Sequence, residues 1–362
     1  MKKNKILIIN IAQYGKHTDS YKYCINLNQK YDMYYICIDN NLTKINDDTN
    51  VIYLQDEGSS IKNVFNLIKE SRALIKNKNF NIVMVYYFKL CSLVKFFLKN
   101  NYILDIRTGS VDKRMIDRIK FNWLMKFESH FFKNISIISE SLRESLNYNK
   151  KKCYIIPLGS DILSTQNKNF KEKKLNLLYV GALNNRNIYQ TIYGLKEFID
   201  SNKNLSCEVS YNIFGDGHKN EIDKLLQTIS QCNLERIVKF HGRKSHFELK
   251  SYFDNCNIGI SYVPITGYYN CQPPTKTFEY INCGMICLAT NTNENAKIIN
   301  ESNGVLCEDN KTSFKEALQY ILINFERYDS QIIKNTIKEF TWENIVNKKV
   351  DHLFQNIIKR KN

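Results

Sequence analysis

The stretch Gln272-Pro-Pro-Thr-Lys-Thr-Phe-Glu-Tyr-Ile-Asn-Cys-Gly284 combines a helix start, two charged side chains and a helix end within 13 residues. Its two prolines suit the start of a helix, and its glycine suits the end of one. Lys276 then lies in or next to the first turn, where free N–H groups and the positive end of the helix dipole favour an anion. Glu279 follows three residues later on a nearby face, where it can accept hydrogen bonds from a ribose diol. We predict an anion site here, against the alternative of a plain surface Lys–Glu pair.

Strand and helix patterns alternate on both sides of this stretch. Continuous apolar runs, which are typical of strands buried on both faces, recur from Ile6–Ile11 to Val305–Cys307. The alternation predicts an α/β fold with parallel, doubly wound sheets. A polar segment near residues 160–174 has no periodicity, and we interpret it as a linker. The longest helix pattern after residue 100 spans 115–132, and its apolar stripe consists of Ile116, Ile119, Trp123, Leu124 and Phe127.

The length and charge of the chain indicate how many domains it has and what kind of partner it could bind. With 362 residues it exceeds what one hydrophobic core normally supports, so we expect two domains. The formal net charge is +16, and residues 1–170 hold 27 basic and 15 acidic side chains. Such an excess attracts nucleic acid, an anionic lipid surface or a phosphorylated acceptor, and a lysine-rich solvated surface explains it equally well. The aromatic–basic signatures of RNA-binding modules are absent, so we expect no nucleic-acid partner.

Several classes of protein are disfavoured by what the sequence lacks. No stretch reaches the ~18–20 uninterrupted apolar residues of a membrane span, and we expect no signal peptide. The 11 cysteines are scattered without a C-x-x-C pair, as in a reducing cytoplasm. The motifs of a Walker ATPase, a Gly-x-Ser-x-Gly hydrolase and a His-Glu-x-x-His metalloprotease are absent. There is no Asp-x-Asp sequence, so we expect no metal-dependent sugar-nucleotide site of that type.

Three other predicted strands end at glycines that suit ligand binding. Gly181 permits close approach of the backbone, and Arg186 in the following loop suits bidentate binding of a phosphate. Gly215 begins a Gly-x-Gly pattern, although the missing third glycine argues against a dinucleotide fingerprint. The backbone near Gly242 and Arg243 suits contact with a planar base. A simple turn between strand and helix is the alternative interpretation of each position.

These motifs, taken in order, resemble those of the glycosyltransferase group 1 family, the retaining GT-B-fold glycosyltransferases of family 4. The segment from Pro274 to Gly284 resembles the pattern P-x-K-x-F-E-Y-x-x-x-G. The resemblance covers most of residues 135–358, whereas residues 1–130 agree in pattern only. Further landmarks in the family's order are Ile137-Ile-Ser-Glu-Ser-Leu142, Ile156-Pro-Leu-Gly-Ser-Asp161, Tyr179-Val-Gly181, Phe214-Gly-Asp-Gly217, Phe240-His-Gly242 and Phe340-Thr-Trp-Glu-Asn-Ile345.

The resemblance implies a GT-B fold in which two Rossmann-like, doubly wound domains face a central cleft. Residues 1–165 would form the acceptor-binding domain, and residues 166–340 the domain that binds the nucleotide-sugar donor. Residues 341–362 would form a C-terminal helix that crosses back to the first domain.

The resemblance also implies a reaction and a setting. A hexosyl group moves with retention from a UDP-, GDP- or ADP-sugar to a saccharide or lipid-linked saccharide. No cofactor and no metal are required. The setting is bacterial surface polysaccharide biosynthesis, either lipopolysaccharide O-antigen or capsule. We therefore expect a cytoplasmic protein whose basic first half makes peripheral contact with the anionic inner face of the cell membrane.

Site residues follow from the resemblance position by position. In the donor domain, Lys276 and Arg186 would bind the diphosphate and act as catalytic cations, and Glu279 would bind the ribose. The other donor-binding positions implied are Gly181, Gly215, Gly242, Arg243, Pro274, Thr277 and Phe278.

The first domain supplies fewer candidates. The family's N-terminal glycine-rich loop is reduced here to Gly15, Lys16 and His17, which we assign to the acceptor side. Many members carry a histidine after the fourth or fifth strand, where this chain reads Asp105-Ile-Arg107. We predict Asp105 as a catalytic residue and Arg107 as a sugar contact.

The sequence departs from the family pattern at two donor-domain positions. The family often carries two glutamates in the pattern E-x7-E, and here Glu279 is the second while Cys271 stands at the first. The frequent arginine after the first donor-domain glycine is replaced by Ala182. A GT-B-fold sugar-nucleotide epimerase, or an inactive partner subunit, is therefore the alternative to a transferase. A basic nucleic-acid-binding protein is a third hypothesis, which only the net charge supports.

Overall fold

The computed structural model describes residues 3–110, 112, 114–202 and 207–360, and the chain divides into two compact units. The first unit comprises Met1–Gly159 with Trp342–Asn362, and the second comprises Ser160–Thr341. These boundaries lie a few residues from the predicted 165 and 340. The reason is that Ser160 bridges Thr341 and its amide donates to the carbonyl of Phe340, so the two boundary segments pair with each other.

The first unit is built on a parallel sheet of the order β3-β2-β1-β4-β5-β6-β7. Its strands are β1 (Asn4–Ile9), β2 (Tyr31–Ile38), β3 (Asn50–Leu54), β4 (Ile82–Tyr86), β5 (Tyr102–Ile106), β6 (Asn134–Ile137) and β7 (Cys153–Ile155). The helices between them are α1 (Thr18–Leu27), α2 (Ser60–Asn77), α3 (Met115–Ser129) and α4 (Glu140–Ser145), with short 3-10 turns at Cys91–Val94 and Lys150–Lys152.

The second unit is built on a parallel sheet of the order β10-β9-β8-β11-β12-β13. Its strands are β8 (Lys174–Val180), β9 (Glu208–Phe214), β10 (Val238–Phe240), β11 (Ile258–Ser261), β12 (Ile286–Thr290) and β13 (Gly304–Cys307). Its helices are α5 (Tyr189–Ser201), α6 (Lys219–Gln231), α7 (His246–Asn255), α8 (Thr275–Asn282), α9 (Asn293–Ala296), α10 (Lys311–Ile323) and α11 (Ser330–Asn335), with 3-10 turns at Phe325–Arg327 and Lys338–Phe340.

The C-terminal segment packs within the first unit. The single helix predicted from Trp342 is interrupted, because a π-helical turn at Val346–Val350 separates α12 (Trp342–Ile345) from α13 (Asp351–Lys359). Asp351 accepts hydrogen bonds from the Tyr31 hydroxyl at 2.7 Å and from the Lys30 ammonium at 2.8 Å. Residues 361–362 of the predicted helix lie outside the described part of the chain.

The apolar runs explain why these strands form. Each run predicted as a strand is a strand whose bounds differ by at most three residues. In β1, for example, Ile6, Leu7, Ile8 and Ile9 are fully buried, as expected of a strand covered on both faces. The sequence pattern missed α1, because its buried face begins with the polar Asp19 and Ser20 and only Tyr23, Cys24 and Leu27 form its apolar stripe.

Residues 161–173 of the predicted linker form no helix or strand, but they are packed. Lys168 is buried, and its ammonium donates to the carbonyl of Asp254 at 3.0 Å. Among the described helices, none combines the length and apolar content that crossing a bilayer requires.

Candidate functional site

In the second unit the strand order reverses between β8 and β11. Open parallel sheets bind ligands beyond the carboxyl ends of their strands at such a reversal. The loop after β8 carries Gly181 and Arg186, and the loop after β11 leads into α8. The predicted donor residues on these two loops therefore flank the position where this sheet is suited to bind a ligand.

Backbone hydrogen bonds join the ends of β8, β9 and β10. The amide of Gly181 donates to the carbonyl of Phe214 at 3.0 Å, and the amide of Gly215 donates to the carbonyl of Gly242 at 2.9 Å. A Cβ atom on Gly215 would lie only 1.9 Å from the Gly181 carbonyl oxygen. Gly242 has a φ of +68°, a backbone angle that residues other than glycine rarely adopt. Glycine is thus required where these loops meet.

A pocket of about 280 Å³ opens over these strand ends. It brings together three of the predicted donor positions, Gly181, Gly215 and Arg243. Its remaining lining residues are Val180, Ala182, Phe214, Asp216, Lys244 and Leu249. The apolar walls and exposed glycine backbone suit a flat ring. The charged side chains of the lining are Arg243, Asp216 and Lys244, and Lys244 is paired with Glu248 at 2.9 Å.

Arg186 is held in a fixed orientation at the reversal. Asn185 and Asn187 on either side adopt left-handed backbone angles, with φ of 59° and 54°, which asparagine tolerates better than most residues. The guanidinium lies 4.2 Å from the centre of the Tyr269 ring, on the loop after β11. Stacking uses the flat face of the guanidinium and leaves the N–H donors at its edge for a ligand.

Helix α8 begins and ends where the sequence predicts. It starts directly after Pro274 and ends before Gly284, whose φ of +72° is typical of a helix C-terminus. The Lys276 ammonium pairs with the Glu279 carboxylate. Only 7% of the Glu279 side chain and 25% of the Lys276 side chain are exposed, so this is a partly buried pair and not the plain surface pair of the alternative interpretation.

Two predicted donor contacts in α8 have other roles for their side chains. The Thr277 hydroxyl is buried and hydrogen-bonded to Ser261 at 2.7 Å and Asn295 at 2.8 Å. The Phe278 ring is buried against Phe340, with 5.1 Å between ring centres. Contact of these two side chains with a donor is therefore not favoured, because both are committed to the core of the unit.

Sequence reasoning missed the residue that fixes α8 against the sheet. The Tyr280 hydroxyl accepts a hydrogen bond from the amide of Val180 at 2.8 Å, at the end of β8. The ring lies against Gly259 in β11, where a Cβ atom would come within 2.1 Å of it. The sequence does contain a signal for this contact, because Gly259 lies inside a buried strand. A glycine at such a position indicates that another group approaches the backbone closely.

In the first unit Asp105 is completely buried on β5. The Ser136 hydroxyl donates to its carboxylate, and the Arg107 Nε lies 3.8 Å from its other oxygen. Burial raises the pKa of Asp105 to about 6, although Arg107 opposes this shift. Its predicted catalytic role is not favoured by this placement, because the carboxyl group has no exposed surface.

Arg107 is part of the same internal cluster. Its Nε donates to Asp19 on α1 at 2.7 Å, and its Nη1 donates to the carbonyl of Ile156 at 2.8 Å. Only 12% of the side chain is exposed. Arg107 thus ties α1 to the ends of β5 and β7, and contact with a sugar stays a prediction.

The short glycine loop lies at the reversal between β1 and β4 in the first sheet. Gly15 has a φ of +89°, and Lys16 is exposed. The Nδ1 of His17 is 3.1 Å from the Asn10 amide, and its ring centre lies 6.3 Å from that of Tyr86. Partial desolvation by the surrounding groups and the neighbouring Lys16 lower the pKa of His17, while Asp19 opposes this shift.

The described residues contain no group of three or more His, Cys, Asp or Glu side chains arranged to hold a metal ion. Metal independence itself stays a prediction.

Comparison with protein families finds a similarity for the second unit. Residues 163–339 match the family model described as "Glycosyl transferases group 1". Nearly all of the second unit is therefore similar to this family of domains. This match includes Gly181, Arg186 and the whole of α8, the elements on which the predicted donor site depends. No curated protein sequence matches the chain.

Solved structures show the fold of the whole chain. Sucrose-phosphate synthase from Thermosynechococcus elongatus is 15% identical with a TM-score of 0.77, over 99% of this chain and 100% of that one. HepE from Anabaena, solved with UDP and glucose, is 12% identical with a TM-score of 0.72 over 97% and 99%. The lipopolysaccharide outer core galactosyltransferase WaaB is 15% identical with a TM-score of 0.69 over 99% and 100%. The predicted α/β GT-B fold, with two parallel sheets, is confirmed.

We predict that Gly215→Ala destabilises the protein, whereas Gly267→Ala does not. The new methyl group at position 215 meets the Gly181 carbonyl oxygen, which is backbone and cannot move away cheaply. Overpacking of this kind costs about 1–3 kcal/mol. A Cβ on Gly267, in the same unit, meets nothing within 4 Å. Urea unfolding of both variants checks this, and equal stability of the two would contradict the close approach of the loops.

We predict that Asp105→Asn changes how stability depends on pH. The native carboxyl group ionises near pH 6, whereas an unfolded aspartate ionises near its ordinary pKa of about 3.9. Ionisation therefore disfavours the native state, and stability is lost as pH rises from about 4 to about 6. The variant lacks this loss, so its stability relative to the native chain should increase by roughly 2–3 kcal/mol between pH 4 and 7.

Urea unfolding at several pH values measures this difference. Asp48→Asn, at an exposed position, is the control and should show no comparable change. A pH-independent difference between Asp105→Asn and the native chain would show that Asp105 is not destabilised when ionised.

Proposed function

We propose that this protein transfers a sugar from a nucleotide sugar to a saccharide or lipid-linked saccharide. The similarity to the group 1 family supports glycosyl transfer. The observation that carries the proposal is that Arg186, Lys276 and Glu279 all lie on the loops and helix that flank one strand-order reversal. Two cations and a carboxylate at this position match the diphosphate and the ribose of such a donor.

Each part of the donor has a matching group in the second unit. The pocket beside Gly215 and Arg243 suits the base, since it offers apolar walls and open backbone. The edge of the Arg186 guanidinium, the Lys276 ammonium and the N–H groups of the first turn of α8 suit the diphosphate. Glu279 suits the ribose diol, because a donor phosphate can replace its carboxylate as the partner of Lys276.

The proposed reaction leaves the protein unchanged. The bond between the anomeric carbon and the diphosphate oxygen breaks, and its electron pair leaves with the nucleoside diphosphate. An acceptor hydroxyl oxygen bonds to the anomeric carbon through an oxocarbenium-like state, and its proton passes to the departing diphosphate. Arg186, Lys276 and the start of α8 stabilise the charge that develops on the diphosphate. Removing one such group would raise the barrier by about 2.7–4 kcal/mol.

The finer features of the proposal come from the resemblance. We propose transfer of a hexosyl group with retention and without a metal. We place the reaction in surface polysaccharide biosynthesis, O-antigen or capsule, at the cytoplasmic face of the membrane. Among the structural neighbours, HepE was solved with UDP and glucose, and WaaB is a lipopolysaccharide outer core galactosyltransferase. The UDP bound to HepE makes UDP-sugars the first donors to test.

A sugar-nucleotide epimerase, or an inactive partner subunit, is the second candidate. The structure places Cys271, at the position of the family's first glutamate, half-exposed in the loop that precedes α8, so no carboxylate is supplied from that position. Product analysis separates the candidates. Incubation without acceptor yields an epimerised sugar nucleotide only if the protein is an epimerase.

The test of the proposed function is calorimetric binding of UDP, GDP, ADP and CMP, with and without attached sugars and without added metal. We expect the native chain to bind one nucleoside diphosphate selectively. Lys276→Ala and Glu279→Ala should each weaken that binding at least about tenfold, because each removes a charged partner of the donor.

Matched control variants exist on α5. Lys196 and Asp200 form an exposed ion pair of similar spacing, so Lys196→Ala and Asp200→Ala should bind as the native chain does. Failure of the folded native chain to bind any nucleotide would overturn the transferase proposal and favour the inactive-subunit alternative. Equal losses in the α5 variants would show that the effect is not specific to the site.

A further inference from the structure

The apolar stripe of α3 faces outward. A stripe of this kind normally packs against a core, yet Ile116 is 65%, Trp123 66% and Phe127 51% exposed. The rings form a continuous row, since Trp123 stacks on Phe127 at 5.8 Å and Phe127 meets the edge of Phe131 at 5.6 Å. Such a row on the outside of the unit is unusual in a surface that meets only water.

Specific contacts hold α3 in this orientation. The residues of α3 that are buried, Met125, Glu128 and Ser129, lie towards its C-terminal end. The Glu128 carboxylate accepts hydrogen bonds from the amide of Ser92 at 3.2 Å and from its hydroxyl at 3.1 Å. The exposed aromatic row is therefore a consequence of how the helix is anchored.

Two further exposed aromatic residues follow the 3-10 turn at Cys91–Val94, which contains Ser92. Phe96 is 50% and Phe97 92% exposed, and their ring centres are 4.7 Å apart. The Arg72 guanidinium, on α2, donates to the carbonyls of Leu93 and Phe96, both at 2.7 Å. Phe97 has a φ of 60°, which is rare for a bulky residue. The segment thus presents two phenyl rings to the outside from a fixed backbone.

Cationic side chains border both aromatic groups. A pocket of about 440 Å³ is lined by Lys95, Lys99 and Lys133, together with Asn100, Asn101, Tyr102, Asn134 and Leu98. The Lys95 ammonium contacts the carbonyl of Phe131, which places this pocket next to the aromatic row. Burial and the neighbouring Lys133 and Lys152 lower the pKa of Lys95. Clustered lysines and amide donors of this kind suit a phosphate group.

We infer that this surface docks the protein on a bilayer of anionic phospholipid. The docking surface consists of Ile116, Ile119, Trp123, Phe127 and Phe131 with Phe96 and Phe97, and of the lysines at 95, 99 and 133. Its aromatic side chains enter the boundary between headgroups and acyl chains, where tryptophan and other amphipathic rings are favoured. Its lysines bind lipid phosphates, and each should strengthen binding by up to about fivefold.

Charge complementarity selects a lipid surface over a second copy of this chain. A symmetric dimer through this face would bring the same lysines of both copies together, and like charges repel. An anionic bilayer offers both an apolar layer for the rings and negative groups for the lysines. This docking surface specifies the membrane contact that is part of the proposed function. Docking itself needs neither donor nor acceptor, so only the idea that the acceptor lies in the membrane rests on the proposed function.

Trp123 provides a direct measurement of docking. The chain has two tryptophans, and the other, Trp342, is only 4% exposed. With vesicles of phosphatidylglycerol and phosphatidylethanolamine, we expect a blue shift of emission and quenching by lipids brominated in the upper acyl chain. Phosphatidylcholine vesicles should produce much weaker binding, because they offer no net negative charge. Trp123→Phe should still bind but should lose the shift and the quenching.

Co-sedimentation of full-length variants with vesicles measures separately what the aromatic side chains and the lysines of the docking surface contribute to binding. Trp123→Ser with Phe127→Ser should lower the partition onto anionic vesicles at least about tenfold at 0.15 M and at 1 M salt. Lys99→Gln with Lys133→Gln should lower it about tenfold or more at 0.15 M salt and much less at 1 M, because salt screens charges. Phe247→Ser and Lys219→Gln, both at exposed positions of the second unit, are the controls and should bind normally.

Any one of the following outcomes would overturn the inference. The first is no binding of the native chain to anionic vesicles. The second is binding without quenching of Trp123, or binding that the control variants weaken as much as the docking variants do. The third is a dimer in light scattering without lipid that Trp123→Ser with Phe127→Ser abolishes, since a second copy would then cover the surface. Nucleotide binding by the same preparations shows separately whether the proposed function holds.

Discussion

The candidate donor site depends on one hydrogen bond, from the amide of Val180 to the Tyr280 hydroxyl. It joins α8 to the end of β8 and so fixes the helix that carries Lys276 and Glu279 relative to the loop that carries Gly181. Gly259 makes the bond possible, because any side chain there would occupy the space of the Tyr280 ring. Leaving the Val180 N–H without this acceptor in a buried position would cost about 1–3 kcal/mol.

Around that bond, small residues and fixed cations have complementary roles. Gly215 allows two strand-end loops to approach within hydrogen-bonding distance, so backbone lines the pocket. Arg186 is held by stacking on Tyr269, and Lys276 by pairing with Glu279. Groups that are already oriented stabilise a developing charge without having to reorganise, which is how metal-free stabilisation of a leaving diphosphate would work.

The sequence predicted the strands other than β7, the start and end of α8, and the glycine-rich strand ends, because these follow from local pattern. It did not reveal contacts between distant segments, such as Tyr280 with Val180 or Arg186 with Tyr269, since neither partner identifies the other. Asp105 was predicted as catalytic from its position in the chain, but register places it inside the first sheet beside Ser136. The apolar stripe of α3 was visible in the sequence, but only the structure shows which way it faces.

Hydrogen–deuterium exchange of the full chain, with and without its tightest-binding nucleotide, tests whether a nucleotide binds at these strand ends of the second unit. Addition of nucleotide should slow exchange in segments 181–188, 214–218, 241–245 and 275–279 together, because all four lie at the proposed donor site. Helix α2, at 60–77, should exchange at the same rate in both samples. Binding without protection of these four segments, or with protection confined to other parts of the chain, would show that the nucleotide does not bind at these strand ends.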